Sequence, residues 1–145
     1  MTAGVGALRS VILGALLASS WGCSSAKREA ASLVSVVERY RKASMDGKAA
    51  PAEMLEAVAC SDSEVCAAKE ACLASSRPTV RGIALKHEVE VALDDLDAGK
   101  LTREQALGLG LSSKLDEASR AIEEGRGKLG ACDEQVIGLR LKYGL

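Results

Sequence analysis

The chain has 145 residues, with 19 Lys and Arg against 20 Asp and Glu and a formal charge of −1. That balance excludes the basic footprint of a nucleic-acid binder, so no nucleic-acid partner is expected. Phe is absent, Tyr occurs twice and Trp once, which leaves Leu, Val, Ile and Ala to build a thin core that covalent staples would help.

In chain order, the first element is an export signal. Arg9 precedes the apolar run Val11–Ala18, and a small-residue stretch, Ser19-Ser-Trp-Gly-Cys23, follows it. That is the order of a positively charged start, a short apolar region and a cleavage region. The run is shorter than the ~20 residues needed to cross a bilayer. Residues 1–22 read as a removed signal, 23–29 as a short polar tether and 30–145 as one helical domain.

Around Cys23 the sequence resembles the lipobox of bacterial lipoproteins, in which a small residue precedes a cysteine that is acylated and becomes the new N-terminus. Gly22 matches the position before the cysteine, whereas Ser20 stands where the family usually has Leu and Trp21 is uncommon there. The resemblance implies a small envelope lipoprotein with Cys23 as its lipid (palmitate-type) attachment site. Ser24, in place of Asp, implies sorting to the outer membrane, facing the periplasm or the exterior. Ordinary cleavage after Ser20 or Ala26, releasing a soluble secreted module, is the alternative. Cysteine parity bears on the choice: five cysteines leave one to explain in an exported chain, and acylation of Cys23 leaves four that can pair.

The remainder reads as helix. Leu33, Val36, Val37 and Tyr40 recur at helical spacing, predicting a helix over ~27–45 that Gly47 closes as a left-handed cap. Pro51 suits the first turn of a short second helix ending at Val58. Ser61-Asp-Ser-Glu64 reads as a capping box opening a third helix to about Ser75, and Arg77-Pro78-Thr79 breaks the chain there. A fourth helix carries Leu85, Val89, Ala92 and Leu96 and ends at Gly99. Thr102-Arg-Glu-Gln105 is a second capping box, Gly125-Arg-Gly127 a turn, and Leu129, Cys132, Val136 and Tyr143 mark a last helix. The expected fold is all-α, a bundle of five to six helices stapled by disulfides, with no internal repeat at a fixed period.

Four cysteines allow three pairings. Cys66 and Cys72 share one predicted helix, ~9 Å apart along its axis and ~120° around it, too far for a bridge. Of the two pairings left, Cys60–Cys66 with Cys72–Cys132 is preferred, because a hairpin brings the first pair to one end. Cys60–Cys72 with Cys66–Cys132 stays open. In the preferred scheme the long loop contributes about 4 kcal/mol and the short one about 2 kcal/mol.

No catalytic, metal or cofactor motif is specific. The cysteine spacing lacks the close ligand pairs of zinc sites, and His87 is the lone histidine. Asp94 to Gln105 places Gly99 and Leu101 as a calcium-binding EF-hand loop would. Leu96, Ala98 and Gln105, however, stand where oxygen ligands and a bidentate Glu are required, so a Gly cap followed by a Thr cap explains the stretch. His87 beside Glu88 and Glu90 is the best acid–base pair on offer, on positions that point in different directions. The expected function is therefore non-enzymatic: a membrane-anchored helical binding or structural module. An unidentified envelope protein would be its partner, perched near Gly108 and Gly110, where a kink or close helix crossing is expected.

Overall fold

A computed structural model describes residues 20–145, with side chains from Ser25 onward. Residues 1–19 of the expected signal, and the side chain of Cys23, lie outside what is described. The helices are α1 (Ser20–Lys42), α2 (Ala49–Ala57), α3 (Ser63–Asp97), α4 (Arg103–Gly108) and α5 (Leu111–Tyr143). The fold is all-α, with five helices and two disulfides among the described residues.

Two long helices, α3 and α5, run antiparallel and form the spine. At 35 residues and a rise of ~1.5 Å each, α3 is about 52 Å long. Its buried positions Ala68, Ser75, Gly82 and Val89 recur every seventh residue, as do Ala118, Gly125, Cys132 and Leu139 of α5. This is the seam of a coiled coil. The register pairs Cys72 with Cys132, Ser75 with Gly125 and Gly82 with Ala118.

The seam also explains two corrections to the helix boundaries. Pro78 lies inside α3 rather than between two helices. An interior proline costs ~3 kcal/mol, but the Cys72–Cys132 bridge on one side and the Gly82 contact on the other hold both halves against α5. Gly125 is likewise helical, not a turn. A Cβ built there would lie 2.6 Å from the Ser75 carbonyl oxygen, and one on Gly82 2.6 Å from that of Ala118. Only glycine lets the two backbones approach so closely, and Ser75 Oγ donates to the Gly125 carbonyl at 2.8 Å within the contact.

Helices α1 and α2 cover one half of the spine. Leu33, Val36 and Val37 of α1 and Leu55 of α2 pack with Val65, Leu73, Val136 and Leu139 in a core that draws nothing from residues 81–124. Here α1 is antiparallel to α5, tied by the Arg41–Asp133 and Arg140–Glu38 ion pairs. Arg77 grips Glu56 with two bonds of 2.6 and 2.8 Å, and Lys69 Nζ donates to the carbonyls of Glu56 and Val58 at 2.7 Å each, anchoring the end of α2 to α3. The molecule thus divides into a four-helix head and an arm, residues 81–124, formed by α3 and α5 with the short α4 at its tip. The arm carries six Lys and Arg against ten Asp and Glu, net −4, and the rest of the described chain twelve against ten, net +2.

Other expectations shift locally. Residues 25–29, expected as tether, belong to α1, with Ala26 buried. Glu29 accepts from Ser61 Oγ at 2.6 Å, Ser61 N at 2.7 Å and Asp62 N at 3.3 Å. The side-chain bond from Ser61 is the chief reason its carboxyl is held below the usual range. Asp62, not Ser61, caps α3, accepting from the backbone of Glu64 and Val65. Gly47 is not left-handed; it closes a turn onto Ser44 after α1 has ended. The Thr102–Gln105 capping box forms with both reciprocal bonds.

Candidate functional site

Among the described residues a cleft of about 260 Å³ lies where the head meets the arm. The end of α1 gives Tyr40, the following turn gives Met45 and Lys48, and α5 gives Ile122, Arg126 and Leu129. Ser75 and Thr79 of α3 lie along it, beside the Gly125 crossing. The close approach of the spine helices therefore shapes one side of the cleft, and the return of the chain from α1 into α2 shapes the other.

Its electrostatics are one-sided: Arg41, Lys48 and Arg126 line it, and no Asp or Glu does. Arg41 is engaged by Asp133, and Arg126 by Glu123 one turn earlier at 2.9 Å. Lys48 differs. Its ammonium donates to the Tyr40 carbonyl at 2.8 Å and sits 4.4 Å from the centre of the Tyr40 ring. Burial pushes the Lys48 pKa down and the Tyr40 pKa up, since each resists becoming charged away from water.

The residues singled out in the sequence lie elsewhere. Cys60–Cys66 and Cys72–Cys132 are bridged, with Cα separations of 5.3 and 4.5 Å. Cys72 and Cys132 are buried in the head, and Cys60 packs at its edge. Disulfides point to an oxidising, exported environment. No helix among the described residues is long and apolar enough to cross a membrane. His87 is exposed on the arm, its Nδ1 4.0 Å from Glu90. Asp95 pairs with Lys100 at 2.8 Å, and Gly99 takes φ +72° to end α3. Among the described residues no three His, Cys, Asp or Glu side chains gather as a metal site would need.

Gly108 and Gly110 sit at the tip of the arm with open space around them, and Gly110 (φ +61°) links α4 to α5. Of the kink or close crossing expected there, the chain makes the break, between α4 and α5, and the close crossings lie at Gly82 and Gly125. Beside the tip glycines, Leu107 is 76% exposed and Leu109 43%.

No family model, curated protein or solved structure matches the chain. Sequence reasoning missed the cleft because its walls come from four separate stretches. The seven-residue spacing of small residues in α3 and α5 was the available signal, since it fixes which parts of those helices meet.

Proposed function

We propose that the protein is an exported lipoprotein, acylated at Cys23, that works as a non-enzymatic binding module by presenting its helical arm to an envelope partner. One observation carries the reading: the other four cysteines are consumed in two bridges with one another. Of five cysteines in the chain, Cys23 alone is left for another use, and it follows a signal of lipoprotein type. Ordinary cleavage after Ala26 fits less well, because it would cut α1 at a buried position.

The geometry gives the anchor a purpose. Glu29, in the first half of α1, lies beside the start of α3, and the arm ends at the opposite end of the spine, about 50 Å away. A lipid at Cys23 would hold the head at the membrane and extend the exposed leucines of the tip toward a partner, at the raised local concentration that tethering gives.

Intact-mass measurement of the mature protein tests the anchor. A diacylglyceryl-cysteine start that disappears in Cys23→Ser supports it, and a start at Trp21 or Lys27 overturns it in favour of a secreted module. For the partner, a photo-crosslinker at position 107 should capture a discrete envelope protein that one at exposed position 134 does not; equal capture at both would remove the arm from the proposal.

A further inference from the structure

We infer that the cleft at the junction of head and arm binds a small amphipathic carboxylate, an anionic head on an apolar chain of about eight carbons. Size comes first. A cavity of ~150 Å³ holds benzene, so the 260 Å³ here accommodates about ten non-hydrogen atoms in the same proportion.

Charge decides the head group. Three cations and no acid line the cleft, yet the cation that matters is Lys48. An ammonium offers three donors, and Lys48 spends one on the Tyr40 carbonyl while the Tyr40 ring covers one side. No carboxylate of the described chain lies within ion-pair distance of it, and residues 1–24 contain no Asp or Glu. A partly desolvated cation with donors to spare is what an incoming carboxylate satisfies. Arg126 is close at hand, held only by an exposed one-turn pair with Glu123 that exchanges at little cost.

The apolar wall decides the tail. Met45 and Leu129 are 47% and 38% exposed beside half-buried Ile122. A flexible thioether and two branched side chains adapt to an alkyl chain, and covering them removes apolar surface from water. A bare anion would leave that wall wet, and a neutral chain would leave Lys48 unsatisfied, so the site selects ligands that have both parts.

The inference does not depend on acylation, and the test uses the oxidised mature chain with Cys23→Ser, which needs no detergent. Amide chemical shifts are followed while octanoate, octanol or acetate is added. Octanoate should saturate with a Kd of about 1 mM, moving signals of residues 45–48, 75–79 and 122–129. Octanol and acetate should bind at least about tenfold more weakly, each lacking one of the two interactions. Met45→Glu, at an exposed position, supplies Lys48 with an internal carboxylate and should abolish octanoate binding without lowering stability. Lys48→Met should weaken binding about tenfold. No saturation by 20-fold the expected Kd, equal binding of octanol, or unchanged binding in Met45→Glu would each overturn the inference.

Discussion

The head and the arm use the same two helices and solve the packing problem in opposite ways. In the head, large side chains such as Leu33, Leu55 and Leu73 fill the space between four helices, and both disulfides lie there. Along the arm α3 meets α5 with only the short α4 at the tip, and the buried positions are Gly82, Val89, Ala92, Ala106, Ala118 and Ala121. Small residues bring backbones together but bury little area. A head rich in long-range contacts therefore supports an arm held by close backbone approach and the exposed Lys114–Glu88 ion pair, and the arm should be the first part to open.

The largest expected effect breaks the head. Replacing Cys72 and Cys132 by Ser should cost about 4 kcal/mol, read as a fall in the denaturant midpoint, whereas replacing Cys60 and Cys66 should cost about 2 kcal/mol. Equal losses would mean that loop length does not govern these bridges. The seam comes next. Gly125→Ala must push α3 and α5 apart and should destabilise by about 1–3 kcal/mol, despite alanine's better helix propensity. Gly130→Ala on the same helix, with nothing within 4 Å, should stabilise by up to ~1 kcal/mol. If both substitutions stabilise, the close crossing is wrong.

A smaller effect sharpens how α1 is held. Because Glu29 has a lowered pKa in the folded protein, its contribution is present above the ordinary carboxylate range and is lost as pH falls through the folded value. Glu29→Gln should flatten the acid side of the stability–pH curve and leave its slope above pH ~6 unchanged; an unaltered acid limb would mean that the Ser61 bonds contribute nothing. The smallest effect belongs to the tip. Leu107→Ser should change stability by less than ~0.5 kcal/mol while reducing partner capture, and a large loss of stability would show that Leu107 is structural.

Local chemistry made the helical class, the Thr102–Gln105 box and the Gly99 cap legible in the sequence, because each depends on residues a few positions apart. Helix geometry likewise excluded a Cys66–Cys72 bridge. Pro78 and Gly125 misled for the converse reason: both are breakers by propensity, and packing across the spine overrides propensity. Lys48 carried no signal at all. Its distinction is a missing counter-ion, and that becomes visible only when Tyr40, Met45 and α5 are brought around it.

The uneven charge of the two halves has a consequence for orientation. With −4 in the arm and +2 in the remainder of the described chain, the long axis is an electric dipole whose positive side is the head. Close to an anionic surface, within a Debye length of about 8–10 Å, such a dipole experiences a torque that draws the head inward and turns the arm outward. The protein thus carries its own compass, one that salt weakens and that acts before any contact is made.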